Sequence, residues 1–173
     1  MKKTVIPPTS QKHTFSVLVE NRFGVLARVA GLFSGRGYNI DSLVVSPTEN
    51  GNYSRMTIVT NGDAAVIEQI HKQLDKLVEV EQVTDLTGSE FVSRELMLLK
   101  VRANAAQRGD LIQCASVFHA SIVNVQPDSL IMEVTGDSEK LDSFVNLMTT
   151  YGIIELARSG KVALDRSSLP TDL

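Results

Sequence analysis

The stretch VENRFGVLARVAGLFSGRGYNID, from Val19 to Asp41, decides the fold because two hydrophobic periods meet in it. The preceding segment, HTFSVLVEN, alternates with a period of two and predicts a β-strand. From Val25 the period becomes helical, and Gly35 and Gly37 are suited to end that helix. The predicted apolar stripe of the helix consists of Leu26, Val29, Ala30 and Phe33. The segment NIDSLVVS then predicts a second strand.

The order of elements repeats along the chain. YSRMTIVT predicts a third strand, Asp63 can cap a second helix, and VEVEQVTDL predicts a fourth strand, which gives β-α-β-β-α-β up to Leu86. The same order follows from RELMLLKVRA to IIELARSGKVAL. A short echo supports the repeat, because VTNGDAAVIEQI and VTGDSEKLDSFV occupy the same place in each half.

This order predicts an α+β fold of two ferredoxin-like βαββαβ units, each a four-stranded antiparallel sheet with two helices on one face. The predicted division is a flexible arm over 1–12, a first domain over 13–87, a linker over 88–94, a second domain over 95–166 and a tail over 167–173. We expect Leu18, Leu43 and Val45 on the sheet face away from the helices. A bare apolar face needs a cover, so the sequence also predicts an oligomer.

Composition excludes several classes of protein. The 173 residues carry a formal net charge of −3 and contain one cysteine, so neither a general affinity for nucleic acid nor an internal disulfide is expected. The N-terminal MKKTVIPPTSQKH lacks the apolar core of a secretory signal, and no apolar run approaches the ~18 residues of a membrane-spanning helix. These features predict a cytoplasmic protein with no membrane partner.

Catalytic and metal-binding motifs are missing from the sequence. The three histidines are scattered, and no HExxH, GxGxxG, Walker A or GxSxG pattern occurs. Cys114 and His119 are five residues apart, which directs their side chains away from each other on a helix. Glu79, Glu81 and Asp85 are interpreted as one solvated strand face. We therefore predict no catalytic residue and no metal site.

The turn NRFGVL, which joins the first strand to the first helix, is the best candidate for a binding site. A helix N-terminus offers unpaired N–H groups and partial positive charge to a carboxylate, and Gly24 would let a ligand approach the backbone. Asn21 and Asn39 offer amide groups to an ammonium or a carboxylate. The apolar wall would consist of Val25, Leu26 and Ile40. This set matches an aliphatic amino acid, and the alternative is an ordinary strand–helix turn.

The segments NRFGVLARVAGLF, RGYNIDSLVVSPTE and SRMTIVT, with the later RELMLLKV and IIELARSGKVAL, resemble the small regulatory subunits of acetolactate synthase (acetohydroxyacid synthase). The first unit resembles an ACT domain. The resemblance extends from His13 to about Arg166, and the pair RGYNIDSL and SRMTIV is its most specific part.

This resemblance implies a regulatory subunit that is not itself an enzyme. Its partner would be a catalytic large subunit that carries thiamine diphosphate, magnesium and FAD, while this chain would bind no cofactor. It would activate the large subunit and confer feedback inhibition by valine, as a homodimer through its ACT domains. The effector-binding residues implied are Asn21, Gly24, Val25, Leu26, Asn39 and Ile40. A free-standing amino-acid sensor and a small acyl phosphatase with an Arg22–Asn anion cradle are the alternatives.

Overall fold

The structure, a computed structural model, describes residues 11–166. These residues divide into two compact units, an N-terminal unit of residues 11–92 with 163–166 and a C-terminal unit of residues 93–162. Of the predicted arm and tail, residues 1–10 and 167–173 lie outside the described residues.

The N-terminal unit has the predicted order of elements. They are β1 (Gln11–Glu20), α1 (Val25–Gly35), β2 (Ile40–Pro47), β3 (Tyr53–Gly62), α2 (Ala64–Leu74) and β4 (Val80–Asp85). The sheet order is β2-β3-β1-β4, and all neighbouring strands are antiparallel. Because β1 and β2 both run antiparallel to β3, they are parallel to each other, and α1 carries the chain back across the sheet between them.

The core of this unit lies between the sheet and its two helices. Phe15, Val17 and Val19 of β1 are buried there, as their alternation predicts. The predicted stripe of α1 is rotated, because Leu26 is 46% exposed while Val25 is 3% exposed. The residues that α1 buries are Val25, Val29, Leu32 and Phe33. Val25 and Leu26 are neighbours at the start of the helix and fit the helical period almost equally well. The sequence pattern therefore does not show which of the two is buried.

Two of the three residues predicted for the bare sheet face lie on the other side. Leu43 pairs in register with Ile58 and Val45 with Met56, and both pack against the core beneath the helices. The prediction was wrong for them because residues paired directly across antiparallel strands share a face. Leu18 does lie on the face away from the core cluster but is itself buried, so these three residues do not form a bare apolar face.

The C-terminal unit repeats this architecture. Its elements are β5 (Phe91–Arg102), which begins just before the unit boundary, α3 (Arg108–Val117), β6 (Ser121–Gln126), β7 (Ser129–Gly136), α4 (Ser138–Thr149) and β8 (Ile153–Arg158). The sheet order β6-β7-β5-β8 matches the first sheet. The last strand, β9 (Val162–Asp165), pairs with β5, and all of it after Val162 belongs to the N-terminal unit. The predicted α+β fold of two ferredoxin-like units is therefore confirmed.

The repeat extends to single backbone hydrogen bonds. Two bonds that tie the end of the first strand of each unit to neighbouring turns occur at the same places. They run from Glu20 N to Glu79 O (2.9 Å) and from Asn21 N to Asn52 O (2.7 Å) in one unit, and from Arg102 N to Gly152 O (3.0 Å) and from Ala103 N to Asp128 O (2.8 Å) in the other. These bonds make Glu20 equivalent to Arg102, Glu79 to Gly152 and Asn52 to Asp128.

The strands β1 and β5 begin earlier than the predicted ends of the arm and of the linker. β1 begins at Gln11 and not after Lys12, because these two residues pair with Gly62 and Asn61 at the end of β3. Residues 91–94 of the predicted linker already belong to β5. A long strand partner extends the pairing into residues whose own composition carries little strand signal.

Candidate effector site

The turn between β1 and α1 has an open, left-handed backbone at its helix end. Gly24 is the residue before α1 and has φ 87° and ψ −12°, a conformation that L side chains rarely adopt. A Cβ atom built on Gly24 would meet no heavy atom within 4 Å. The space beside this backbone is therefore empty, as a site that a ligand approaches closely requires.

Asn21 fastens this turn to the hairpin between β2 and β3. Its backbone N–H donates to Asn52 O at 2.7 Å, and its side-chain Nδ2 donates to Gly51 O at 3.0 Å. The amide nitrogen is therefore occupied, whereas the Oδ1 atom can still accept a hydrogen bond. In this arrangement Asn21 can receive an ammonium group.

Apolar side chains surround the turn, some buried and some in solvent. Val25, predicted for the wall of the site, belongs to the core cluster, whereas Leu26 is half-exposed. Phe23 and Val78 are strongly exposed as well. Phe23 is a feature that the sequence reading missed, although an aromatic residue inside a polar turn was a visible signal.

Asn39 and Ile40 do not lie at this turn within one chain. Ile40 is in register with Thr60, which pairs with His13 near the start of β1, whereas Asn21 follows Glu20 at the end of β1. The seven residues from His13 to Glu20 span about 24 Å at ~3.4 Å per residue. The six predicted effector residues therefore form two groups at opposite ends of one sheet.

The second group is part of a polar network at the start of β2. Asn39 Nδ2 donates to Asp41 Oδ1 at 2.7 Å, and Thr60 Oγ1 donates to Asn39 O at 2.6 Å. Asp41 also accepts from Asn61 Nδ2. Ile40 packs partly against the core. Asn39 retains its Oδ1 as an acceptor, as Asn21 does at the other end.

A cluster of ion pairs that the sequence did not reveal connects the β1–α1 segment to the start of β4. Glu79 is only 7% exposed, and its Oε1 accepts from Arg28 Nη1 at 2.5 Å. Arg22 bridges this carboxylate to Glu20, with Nη2 3.4 Å from Glu79 Oε1 and Nε 2.6 Å from Glu20 Oε2. The interpretation of Glu79 as solvated was wrong, since the fold brings two arginines of the β1–α1 segment to it. Asp85 likewise contacts His13, at 2.9 Å.

The same ion pairs argue against the alternative of a small acyl phosphatase that binds an anion at Arg22. Arg22 is held between two carboxylates, so its charge is already compensated and an Arg22–Asn anion cradle is not formed. Within residues 11–166, no group of three or more His, Cys, Asp and Glu side chains could hold a metal ion. No helix in that range is long and apolar enough to cross a membrane.

Comparisons with known proteins match both units. A family profile described as AHAS small subunit-like ACT domain matches residues 15–82, and one described as small subunit of acetolactate synthase matches residues 94–167. A probable acetolactate synthase small subunit of Archaeoglobus fulgidus is 54% identical, over 91% of this chain and 98% of that protein. An acetolactate synthase small subunit of Mycolicibacterium smegmatis is 49% identical, over 89% and 91% of the two chains.

A solved structure agrees with both units. The crystal structure of the acetolactate synthase small subunit from Thermotoga maritima superposes with a TM-score of 0.83 at 38% sequence identity. The match covers 92% of this chain and 99% of that one.

Proposed function

Because the chain belongs to the family of acetolactate synthase small subunits, we propose that it binds valine in its ACT unit and transmits feedback inhibition to the catalytic large subunit. Without valine, it activates that large subunit. Thiamine diphosphate, magnesium and FAD belong to the large subunit, and this chain is itself non-catalytic. We place the complex in the cytoplasm.

The β1–α1 turn offers a suitable place for the zwitterion. The carboxylate of valine would lie against the open backbone at Gly24, where the first N–H groups of α1 have no partner within the helix. The Oδ1 atoms of Asn21 and Asn39 would accept from the ammonium group. Leu26 and Ile40 would contact the isopropyl group, and neither is fully buried.

The position of Asn39 is the observation that carries this proposal. Because Asn21 and Asn39 lie at opposite ends of one sheet, a site that uses both must combine two copies of the chain. The edge strand β2 leads from Asn39, so an antiparallel pairing of two β2 edges would bring Asn39 of one copy to the Asn21 end of the other. A homodimer through the ACT units then forms two equivalent shared sites.

Inhibition needs more than binding. Valine can shift activity only by the difference in its affinity for two arrangements of the ACT pair. A ligand held between two copies responds to their relative placement, because a change in that placement separates the two halves of its site. We propose that the arrangement favoured by valine lowers the activation of the large subunit.

The test mixes two valine-insensitive variants of the full chain with the large subunit. Gly24→Asp damages one half-site and Asn39→Ala damages the other, so each variant alone should abolish valine inhibition. In a mixed dimer one of the two sites is assembled entirely from undamaged halves. We therefore expect the mixture, after exchange of copies, to regain part of the inhibition.

Controls separate the possible failures. Each variant should retain activation of the large subunit and co-purify with it, which distinguishes a regulatory subunit from a free-standing sensor. No recovery in a mixture proven to contain mixed dimers would contradict the shared site. Loss of activation in Gly24→Asp would instead mean that this turn contacts the large subunit or maintains the fold.

A further inference from the structure

The C-terminal unit has a surface cavity at the place where the N-terminal unit has its effector turn. The cavity has a volume of about 570 Å³ and lies at the end of β5, before α3. Its lining residues are Arg102, Asn104, Gln107, Asp128, Tyr151 and Ile154. All of them belong to the C-terminal unit, so the cavity is complete within one copy of the chain.

Next to this cavity, a glycine stands where the N-terminal unit has a buried acid. Gly152 is the equivalent of Glu79, whose side chain fills this region of the N-terminal unit and pairs with Arg28. Gly152 adopts φ 93°, and a Cβ atom there would lie 3.2 Å from Cδ of Arg102. The absence of that Cβ lets the Arg102 side chain lie against the backbone and directs it along the cavity wall.

The charged groups of the cavity retain hydrogen-bonding capacity. Within residues 11–166, the Arg102 guanidinium and the Asp128 carboxylate make no hydrogen bond or ion pair, although both residues line the cavity. Asn104 Oδ1 accepts from Gln107 N at 2.9 Å, which leaves its Nδ2 free to donate. A cation, an anion and an amide donor thus line one cavity without pairing with one another.

The remaining lining is one apolar side chain and one hydroxyl. Ile154 is half-exposed. The Tyr151 hydroxyl lies 3.9 Å from Cys114 Sγ, and this contact, with burial, holds the pKa of the phenol above its ordinary value. The Tyr151 hydroxyl carries a proton at neutral pH, as any tyrosine does, and can donate it in a hydrogen bond to a ligand.

We propose that this cavity is a second amino-acid site, separate from the ACT site. Arg102 binds the carboxylate of a free L-amino acid, Asp128 binds its ammonium group, and the side chain lies toward Ile154 and Tyr151. Opposite charges in one cavity select a zwitterion over a simple acid or amine, because each ligand charge then has a partner. The site does not depend on dimerisation or on the ACT site.

The test follows backbone amide signals of the isotope-labelled full chain by NMR while each of the common L-amino acids is added. At least one should shift the amides of Asn104 and Gln107 in a saturable way, and should do so equally in Gly24→Asp. Arg102→Ala should weaken this binding about tenfold or more, the effect of losing one hydrogen bond between charged groups. Arg94→Ala, which removes an exposed arginine at the other end of β5, should leave it unchanged.

A second variant tests the assignment of Asp128 to the ammonium group of the ligand. Asp128→Asn should weaken binding of the amino acid about tenfold but should not weaken binding of the analogous carboxylic acid that lacks the amino group. No shift of these amides with any amino acid would overturn the second site. Shifts that vanish in Gly24→Asp but persist in Arg102→Ala would assign the binding to the ACT turn alone. In the unsubstituted chain, cavity shifts without any valine-dependent shift at the ACT turn would contradict only the proposed ACT site.

Discussion

Replacing Gly24 by Asp tests the ACT turn most directly, because the structure separates its effect on the fold from its effect on the ligand. The backbone at Gly24 has φ 87°, where an L residue costs about 1–2 kcal/mol. A Cβ atom meets nothing within 4 Å, so no clash adds to this cost. Asp tolerates this conformation better than most residues, and its charge is favourable at a helix N-terminus.

The expected loss of stability is therefore small. For a domain of this size, about 1 kcal/mol lowers Tm by roughly 4–8 °C, and Gly24→Ala should lose as much as Gly24→Asp or more. The effect on binding should be much larger in Gly24→Asp. A fixed carboxylate would repel that of valine and occupy its N–H donors, and two such bonds at about 1.5 kcal/mol each correspond to roughly a hundredfold in Kd.

The assay is calorimetric titration of L-valine into the purified full chain and both variants, followed by inhibition of the reconstituted enzyme. Gly24→Ala should bind valine with a modest loss, whereas Gly24→Asp should bind it roughly a hundredfold more weakly at the ACT turn. Unchanged affinity in Gly24→Asp would refute the placement of the carboxylate at this turn. An equal loss in Gly24→Ala would show that the glycine conformation, and not the added charge, is what binding requires.

The two units provide further comparisons. Gly62→Ala should lower the free energy of unfolding by about 1–2 kcal/mol, because the new Cβ would lie 2.8 Å from Cγ1 of branched Val66. The equivalent Gly136→Ala should cost less, because its Cβ meets the flexible side chain of Lys140, which can move; urea unfolding of both variants measures the difference. Glu79→Ala should cost about 1–2 kcal/mol in the same assay, since it removes the buried partner of two largely exposed arginines, and a loss below 0.5 kcal/mol would refute a supporting role.

The sequence predicted the fold well because its local signals agree with one another. The period changes near Val25, the glycines after α1 and the echo around Asp63 and Asp137 all indicate the βαββαβ order. Both aspartates cap their helices, by accepting from Val66 N at 2.9 Å and from Lys140 N at 2.8 Å. Such features depend on residues a few positions apart, which a sequence displays directly.

The features that the sequence did not reveal depend on distant pairs. Glu79 and Arg28 are separated by 51 positions, and no local pattern brings them together. The face of Leu43 follows from its register with Ile58, which depends on where the β2–β3 hairpin turns. The separation of Asn21 from Asn39 within one chain follows from the parallel course of β1 and β2, which places the end of one strand far from the start of the next.

The matched backbone hydrogen bonds show that the same main-chain arrangement accommodates very different side chains at equivalent positions. The carbonyl that closes the first strand of each unit belongs to a buried acid in one case and to a glycine in the other. The main-chain arrangement therefore does not depend on the side chain at this position. Side chains at these positions can therefore be exchanged without a change in the backbone, so a protein engineer can alter one unit while the equivalent positions of the other serve as an internal reference.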